Sequence, residues 1–556
     1  MRWEILSNIK LDNDEAVVKT LLKNRNIKEE KGFFYPPEPY SIKLKALDIK
    51  ESDIVKAINR IKLAKKSDEM VYIYGDYDAD GICSTAILWE ALHTLGLNVL
   101  PHIPDRFEEG YGINAKSIEN LKLKNKNLKL IITVDNGIVG FDGVKKAGEL
   151  GVDVIVIDHH AKGNKLPKAF GILHSTKTSG AGLAYFFANE LLKKVNPEKL
   201  GPLSQRSELF KSWLGISAIG VIADQIPLTS INRSIVKYGL SELSKTKRPG
   251  LMALFEESGL LTRSVLVNQI GTYEVNYVIA PRINAMGRLK HGIDSLRLLC
   301  TTQKNKAHEL AKNLGRTNLD RQKIVDEVVT LARKKVSNEK IIVIAGENFH
   351  EGVIGLAAGR LVEEFYRPAI VFSKKKDMSK ASARSVSGFS IIEAIWATDL
   401  ISEGGGHPMA AGFSIETTKI DQFAKKINTM ADKMLTSDLL EKRLKIDCII
   451  DFSLITPSFQ DTLKKFEPFG IGNYSPLFCT KKVEVLSGKT VGKESKHLKL
   501  KLKQDGQVFD SIYFGGGKIY SDLTPDCIVD IVYGIEENIW NGKSSLQLVV
   551  KDLRIH

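Results

Sequence analysis

Apolar, β-branched runs alternate with amphipathic stretches over residues 71–300. The runs at 71–74, 128–134 and 152–157 lack the polar alternation of a half-exposed strand, so they predict parallel strands that are buried on both faces. The amphipathic stretches between them predict crossover helices, and the repeated unit is typical of α/β domains. Residues 71–300 are therefore predicted to form an α/β domain with a parallel sheet.

Further regions flank this domain. Residues 1–70 predict a helical N-terminal segment. Residues 301–339 are highly charged, contain no proline and carry apolar residues near helical spacing, which predicts a long connecting helix. Strand and helix patterns resume over residues 340–440, which predicts a second α/β domain.

The C-terminal residues 445–556 break into short alternating stretches, with a hairpin signal at Asn541-Gly542. This pattern predicts a small β-barrel that is OB-like by strand count. Such a barrel can stack nucleic-acid bases on aromatic side chains, although alternation turns about half of them inward. The candidate aromatic residues are Tyr513, Phe514, Tyr533 and Trp540.

Length, charge and cysteine content narrow the function classes. The 556 residues exceed what one hydrophobic core supports, so several domains are expected. Lys and Arg outnumber Asp and Glu by 80 to 66, which favours polyanionic partners. The five cysteines are scattered without a C-x-x-C pair, which indicates a reducing compartment and disfavours a disulfide framework or a zinc ribbon. Because the sequence has neither a signal-peptide core nor a membrane-length apolar run, we expect a cytoplasmic protein without membrane segments.

Acidic residues and histidines cluster directly after the predicted strands and in one later apolar run. They are Asp76, Asp78 and Asp80 in DYDADG, Asp135 in VDNG, Asp158-His159-His160 in IDHH, and Asp224 in IADQIP. Because ligands bind at the carboxyl ends of parallel strands, these side chains are expected to meet at one edge of the sheet.

Each cluster taken alone has a second interpretation. The loop from Asp76 to Asp80 resembles a calcium loop, but it follows a strand, and Ile87 stands where that loop needs a bidentate Glu. A solvated acidic turn stays open there. Asp135 could be a turn residue, the histidine pair could be structural, and Asp224 could be a helix cap.

Together the clusters predict a metal centre. Ligands rich in oxygen, with one or two imidazoles, suit Mn²⁺ or Mg²⁺ better than zinc. The candidate ligands exceed the needs of one ion, so we expect two divalent ions about 3.5–4 Å apart, with Asp135 as the bridging carboxylate. The chemistry expected of such a pair is phosphoester hydrolysis by activated water.

Motifs along nearly the whole chain resemble the DHH phosphoesterase superfamily, and within it the RecJ family of bacterial exonucleases. The motifs are GDYDADG, IPDRFEEGYG, VDNG, IDHH, SGAGLAY, VIADQIPL, APRINAMGR, HEGVIGLAAGRL, SARS, GGGHPMAAGF and PFGIGN. The resemblance implies a parallel-sheet DHH domain, a connecting helix, a DHHA1-like substrate-binding domain and an OB-like nucleic-acid-binding domain, with the boundaries given above.

The resemblance also implies roles for the clustered residues. The two Mn²⁺ or Mg²⁺ ions would be held by Asp78, Asp80, Asp135, His159 and Asp224, with Asp135 bridging. His160 would face the scissile phosphate beside the catalytic residues Asp135 and His159, and Asp76 would support the first metal. Many superfamily members have a histidine four residues before Asp78, where this chain has Tyr74.

Basic and polar residues elsewhere could bind phosphate, although a solvated loop or a tight turn explains each of them alone. We interpret APRINAMGR as turn-rich, SARS as a short loop and GGGH as a turn with exposed amides. The resemblance implies a pocket for the DNA 5′-phosphate that includes Ser382 and Arg384. The full predicted DNA-binding set is Arg106, Arg282, Asn284, Arg288, Ser382, Arg384 and His407.

The function that the resemblance implies is 5′→3′ hydrolysis of single-stranded DNA to 5′-mononucleotides in DNA repair and recombination. The implied partners are single-stranded DNA with a 5′ end, a single-strand-binding protein and a helicase. The alternatives are a DHH phosphodiesterase or phosphatase for small nucleotides, an RNA exonuclease, and a non-catalytic single-strand-binding replication protein. Loss of metal ligands would mark the last, whereas this chain keeps the full set.

Overall fold

The computed structural model describes residues 1–195, 203–262, 265–266, 269–524, 526–540 and 543–556. The chain divides into two compact units. One contains residues 1–42, 225–238 and 443–556, and the other contains residues 43–224 and 239–442. Within the described ranges, no helix is both long and apolar enough to cross a membrane.

The N-terminal segment contains two strands that the helical prediction for residues 1–70 omitted. Its elements are β1 Arg2–Ile5, β2 Lys10–Leu11, α1 Asp14–Asn24, α2 Glu30–Phe34 and α3 Glu51–Lys66, with 3₁₀ turns at Pro39–Ser41 and Leu44–Leu47. The two strands are too short for a period-2 pattern to show in the sequence. Each is completed by pairing with distant residues of the C-terminal region.

The predicted α/β domain is built on a five-stranded parallel sheet. Its strands are β3 Met70–Tyr74, β4 Val99–His102, β5 Leu128–Val134, β6 Asp153–Asp158 and β7 Gly171–His174. The spatial order is β4-β3-β5-β6-β7, so the direction of chain progression reverses between β3 and β5. A crevice forms at the carboxyl ends of strands where this reversal occurs. Val71, Ile132 and Ile155 are fully buried, as expected for strands covered on both faces.

Helices accompany this sheet and continue beyond it along the chain, and residues 230–238 of one of them belong to the other compact unit. The helices are α4 Ala79–Thr94, α5 Ala115–Lys124, α6 Phe141–Glu149, α7 Gly180–Val195, α8 Leu203–Ala223, α9 Ser230–Ser244, α10 Pro249–Glu257, α11 Thr272–Glu274, α12 Ala280–Leu289 and α13 Ile293–Cys300. A two-stranded ladder, β8 Leu261–Thr262 with β9 Val265–Leu266, follows α10. A π-helical turn, Val275–Ile279, joins α11 to α12. The motif APRINAMGR is therefore helical, which corrects the turn-rich interpretation.

A 30-residue helix, α14 Lys304–Arg333, forms the predicted connection to the second α/β domain. That domain contains β10 Ile342–Gly346, α15 Ile354–Phe365, β11 Ala369–Ser373, β12 Met378–Arg384, α16 Ile391–Trp396, β13 Glu403–His407, β14 Ala410–Glu416 and α17 Ile420–Met434. Its sheet has the order β10-β11-β12-β14-β13, with one parallel pair and three antiparallel pairs. Ser382 and Arg384 therefore lie on a strand instead of a loop, and His407 ends a strand instead of a turn.

The C-terminal region contains the predicted barrel. Its elements are β15 Arg443–Ile446, β16 Cys448–Ile450, α18 Pro457–Lys464, β17 Phe478–Val491, β18 His497–Gln504, β19 Gln507–Tyr513, β20 Ile528–Trp540 and β21 Lys543–Ile555. Five strands close in the order β17-β18-β19-β21-β20, because β20 pairs back with β17. β1 pairs with β15, and β2 pairs with β16 at the edge of the barrel sheet.

The three barrel aromatics whose side chains the structure describes differ in exposure. Tyr533 is fully buried and its hydroxyl bonds that of Thr480, so it cannot stack on a base. Tyr513 is half-buried, and Phe514 is 62% exposed. The side chain of Trp540 and the Asn541-Gly542 turn lie outside the described residues.

Candidate metal centre

The carboxyl edge of the parallel sheet brings together every residue of the predicted metal set. Three overlapping groups have ligand atoms within 4.8 Å of one another: Asp76, Asp78 and Asp135; Asp80, His159 and Asp224; and Asp135, His159 and His160. These residues follow β3, β5, β6 and α8. Asp76 and Asp224, the two that are furthest apart along the chain, are separated by 148 positions. The fold therefore makes one site from residues that are distant in sequence.

The N-terminus of α7 holds Asp80 in place. The carboxylate of Asp80 accepts hydrogen bonds from the amides of Gly180 at 2.7 Å and Ala181 at 3.0 Å, and from the hydroxyl of Ser179 at 2.8 Å. An anion is stabilised there because the first amides of a helix have no partners within the helix. These contacts fix the orientation of Asp80, and its carboxylate oxygens can still bind a cation.

Glycine at position 180 is required by the close approach of α7 to Asp135. A Cβ atom on Gly180 would lie 2.7 Å from Cβ of Asp135. Asp135 itself has a φ of +62°, a left-handed conformation that Asp tolerates better than most residues. Its backbone amide donates to the carbonyl of Ile157, which ties the end of β5 to β6.

Asp158 orients the histidines and does not belong to the metal groups. Its Oδ1 accepts bonds from the amide of His159 at 2.7 Å and from Nδ1 of His160 at 2.8 Å, while Oδ2 accepts from the amide of Ile138 at 2.9 Å. Burial opposes protonation of the His160 ring, but the bond and the charge of Asp158 outweigh it and raise the pKa of His160 to about 9. His160 is thus held as a hydrogen-bond donor beside the metal ligands.

Buried ligand atoms without hydrogen bonds fit a divalent cation. Oδ1 of Asp76, Oδ1 of Asp135, Nε2 of His159 and Oδ2 of Asp224 are all buried and make no hydrogen bond. Nε2 of His159 lies 3.0 Å from Oδ1 of Asp135, 3.6 Å from Oδ2 of Asp224 and 3.8 Å from Oδ2 of Asp80. Ligands that bind one ion at about 2.1 Å stand about 3 Å apart, so these separations suit a shared ion.

The electrostatics of the cluster indicate the same occupant. Burial, reinforced by the charges of Asp80 and Asp78, raises the pKa of Asp135 and raises that of Asp224 to about 8. Burial and the charge of His160 lower the pKa of His159 to about 4, so its ring is neutral at pH 7 and can ligate a metal. Carboxylates crowded this closely repel one another, and divalent cations relieve that repulsion.

Tyr74 does not take the place of a metal ligand. Its ring is fully buried in the core cluster below the site, and its hydroxyl donates to the carbonyl of Gly112 at 3.1 Å. The first metal group is completed instead by Asp76, Asp78 and Asp135. Asp224 follows the last residue of α8, and among the described residues its buried Oδ2 has no hydrogen-bond partner, which favours the ligand interpretation over a helix cap.

A cavity of about 570 Å³ lies beside the Asp76–Asp80 loop, between the first α/β domain and the second. Three arginines line it, Arg106, Arg288 and Arg384, together with Ser382 and the N-terminus of α15. Burial, with the charges of Arg106 and Arg321, lowers the pKa of Arg288 to about 10, so Arg288 stays cationic at pH 7. The cavity therefore has the chemistry of a phosphate site.

The remaining predicted DNA-binding residues have other surroundings. Arg282 donates to Glu257 at 2.7 Å and to the carbonyl of Val278. Its guanidinium group is therefore already engaged in an ion pair. Asn284 accepts a bond from the amide of Ala79 at 2.7 Å and so holds the start of α4. His407 lies at the exposed end of β13 and is not among the residues that line the cavity.

Several site residues were not predicted from the sequence. Tyr111 has its hydroxyl 3.3 Å from both ring nitrogens of His160 and from the carbonyl of Asp135. Tyr77 and Lys380 line the cavity, and the ring of Tyr77 lies under Arg106 at 5.1 Å. The serine and glycines of SGAGLAY were visible as a possible helix start, but nothing in the sequence connects that start with Asp80.

Three family models match separate parts of the chain. They are the DHH family N-terminal domain over residues 70–220, the DHHA1 domain over 338–433 and the RecJ OB domain over 446–552. Each match falls on one of the folded regions described above.

Curated relatives match most of the chain. The single-stranded-DNA-specific exonuclease RecJ of Bacillus subtilis is 33% identical over 90% of this chain, which spans only 63% of that protein's length. The protein of the same name from Haemophilus influenzae is 30% identical, and 89% of this chain matches 90% of that protein.

Solved structures agree with these matches. The crystal structure of RecJ from Thermus thermophilus in complex with Mn²⁺ has a TM-score of 0.82 at 28% identity, covering 100% of this chain and 79% of that one. The structure in complex with Mg²⁺ has a TM-score of 0.74 at 26% identity, covering 100% of this chain and 78% of that one. With three domain matches and end-to-end similarity in sequence and fold, this chain belongs to the RecJ family.

Proposed function

We propose that this chain is a metal-dependent exonuclease that hydrolyses single-stranded DNA from its 5′ end and releases 5′-mononucleotides. The observation that carries the proposal is the position of four buried, unbonded ligand atoms directly beside a cavity lined by three arginines. A phosphodiester that reaches those ligand atoms can place its 5′-terminal phosphate in the cavity. The family relatives, whose name specifies single-stranded DNA, support this substrate.

The ligand set suits two Mn²⁺ or Mg²⁺ ions. Asp76, Asp78 and Asp135 would hold one ion, and Asp80, Asp135, His159 and Asp224 would hold the other, so Asp135 would bridge them. When bound, such ions lower the pKa of water and neutralise charge on the scissile phosphate. The Mn²⁺ and Mg²⁺ complexes of the Thermus protein support both metals as cofactors.

The side chains of this chain supply orientation and charge. His160, fixed by Asp158, would present a hydrogen-bond donor to the scissile phosphate. Arg106, Arg288 and Arg384 would bind the terminal phosphate in the cavity. A free 5′ end would then be positioned for release of one nucleotide at a time, because a fixed phosphate sets the distance to the scissile bond.

We further propose a division of labour among the predicted domains. Residues 71–300 would carry catalysis, 340–440 would complete the phosphate cavity, and 445–556 would bind the strand. A helicase that supplies single strands and a single-strand-binding protein are the partners that the family resemblance supports. The five free cysteines and a DNA substrate favour a cytoplasmic location.

One assay tests the proposal. The substrates are 5′-phosphorylated single-stranded DNA, the same strand as a duplex, the matching RNA and a dinucleotide, each with Mn²⁺, Mg²⁺ or EDTA. We expect mononucleotides from the 5′ end of single-stranded DNA, only with metal. Release from the 3′ end or activity in EDTA would overturn the proposal, and cleavage of the dinucleotide alone would support the small-nucleotide alternative.

A further inference from the structure

Two tyrosines are exposed on the helical segment that leads into the site. Tyr273 is 65% exposed and Tyr277 is 68% exposed. Their ring centroids lie 4.9 Å apart at an interplanar angle of 37°. Paired aromatic rings form a flat apolar surface of the size of a nucleobase.

The segment is one continuous helix from Thr272 to Leu289. Val275 and Ala280, where the π-helical turn meets α11 and α12, both have helical dihedral angles, with φ of −66° and −59°. Such π-turns often occur at functional sites because the wider turn changes the direction of the side chains that follow.

The tyrosines and the residues that meet the site follow one another along this helical segment. Positions 273 and 277 are four residues apart, and so are positions 284 and 288, so the members of each pair lie near one another on the segment. At the C-terminal end of the segment Arg288 lines the phosphate cavity, and Asn284 bonds the amide of Ala79 between Asp78 and Asp80. At about 1.5 Å per residue, Tyr277 lies about 10 Å beyond Asn284 and Tyr273 about 6 Å further.

The order along this segment matches the order of groups along the proposed substrate. The cavity for the 5′-phosphate comes first, at Arg288, the metal ligands follow near Asn284, and the aromatic pair comes last. A strand bound by its 5′ end would therefore leave the metal centre toward Tyr277 and Tyr273. Bases stack on exposed aromatic rings without sequence preference, as an exonuclease requires.

We propose that Tyr273 and Tyr277 form a base-stacking platform for the single strand on the 3′ side of the scissile bond. The platform deepens the proposed function and rests on it for the direction of the strand. It assigns substrate contacts to α11 and the π-helical turn, in addition to the aromatic residues of the barrel. Because the platform would stack bases beyond the cleaved nucleotide, its effect on KM and Kd depends on substrate length.

The experiment compares Tyr273→Ala/Tyr277→Ala with Tyr273→Phe/Tyr277→Phe, which keeps both rings. Leu331→Ala on α14, at a side chain that is 46% exposed, controls for loss of apolar surface. Substrates are a 5′-phosphorylated trinucleotide, a long oligonucleotide and the same oligonucleotide with abasic sites after its second nucleotide. KM is measured with Mn²⁺, and binding is measured by fluorescence anisotropy in EDTA.

For the Ala variant we expect KM and Kd for the long strand to rise roughly ten-fold, with the trinucleotide unchanged. The Phe variant and Leu331→Ala should match the wild type, and abasic DNA should bind the wild type as weakly as the Ala variant. An unchanged Kd, equal loss on the trinucleotide, or no effect of abasic sites would overturn the platform. If no DNA is cleaved at all, the proposed function fails, while the anisotropy measurements still decide the platform.

Discussion

Asp135 is shared by two of the three groups of candidate metal ligands. It belongs to the group of Asp76 and Asp78 and to the group of His159 and His160, and its Oδ1 makes no hydrogen bond. Burial and the charges of Asp80 and Asp78 raise its pKa, so its charge costs free energy when no cation balances it. A residue placed in this way strengthens the binding of a cation and lowers the stability of the metal-free protein.

We therefore predict opposite effects of Asp135→Asn on activity and on metal-free stability. Hydrolysis should fall by at least about 10³-fold, because the bridging charge is lost, while DNA binding in EDTA stays within a few-fold. The melting temperature in EDTA should rise. The added stability that saturating Mn²⁺ gives the wild type, about 2.7 kcal/mol at a hundred times Kd, should largely vanish.

Asp142→Asn provides the matched control, because Asp142 is exposed in the first turn of α6. Its activity and its Mn²⁺-dependent melting shift should equal those of the wild type. If Asp135→Asn keeps activity within a few-fold, the bridging role is wrong. Calorimetric thermal scans with EDTA and with Mn²⁺ measure both quantities.

The sequence could predict which carboxylates and histidines come together at the sheet edge, because each follows a strand end or ends an apolar run, where a carboxylate needs a partner. It could not assign partners that lie far apart in the chain. Arg282 is an example, because its ion pair with Glu257 removes it from the phosphate cavity. The support of Asp80 by Gly180 is another, since these residues are 100 positions apart.

At the scale of elements, the buried strands and the long helix α14 were predicted closely, whereas three motifs, APRINAMGR, SARS and GGGH, were assigned the wrong structure. Pro281 suggests a turn, but it lies inside the continuous helical segment, directly after the π-helical turn Val275–Ile279. Gly287 in the same helix is required because a Cβ atom there would lie 2.4 Å from the carbonyl of Tyr77. β12 contains small residues of low strand propensity and forms because it pairs with β11 and β14.

The loop between β4 and α5 is the element that carries Arg106 into the cavity and Tyr111 to His160. Glu109 fixes this loop from inside. Its carboxylate accepts bonds from Nε2 of His102 at 3.0 Å, from the hydroxyl of Ser117 and from the amide of Asp105 at 3.1 Å. Burial favours its neutral form, but these bonds and the charge of His102 outweigh it and lower the pKa of Glu109 to about 2.

We predict that Glu109→Gln destabilises the protein by about 2 kcal/mol at pH 7, because hydrogen bonds to a charged group are lost. The folded pKa lies below the ordinary value of 4.5, so the contribution of Glu109 is present above that pH and is lost as the pH falls toward about 2. The difference in the free energy of unfolding between Glu109→Gln and the wild type should therefore become smaller at acidic pH. Urea unfolding at pH 7, 5 and about 3.5 measures it.

The adjacent Glu108→Gln is the matched control, because Glu108 is exposed. It should leave the free energy of unfolding unchanged within about 0.5 kcal/mol at each pH. The same loop supports Arg106, so Glu109→Gln should also raise KM for 5′-phosphorylated DNA. A loss of stability that stays constant from pH 7 to acid would show that the ionised carboxylate is not the source.

At the scale of the whole molecule, the sequence shows an excess of positive charge but not where it acts. The excess of 80 basic over 66 acidic residues is spread over both units. The metal centre is acidic. The cavity beside it is basic because Arg106, Arg288 and Arg384 line it. These three arginines come from a loop, a helix and a strand of the same unit. Under the proposed function, the basic cavity would attract the phosphate backbone while the acidic centre would remain available to cations.

Arg384 tests whether this cavity, as opposed to the general positive charge, binds the 5′ end. Each phosphate contact on a single strand contributes about −0.7 to the slope of log K against log salt concentration. We predict that Arg384→Gln reduces the magnitude of the slope by about 0.7 for 5′-phosphorylated DNA and has no effect on DNA with a 5′-hydroxyl. Arg333→Gln removes an equal charge at a 52% exposed side chain that pairs with Glu364, and it should leave both slopes unchanged. Titrations by fluorescence anisotropy in EDTA over several salt concentrations decide between them, because an equal change in both variants would mean that only the net charge of the molecule matters.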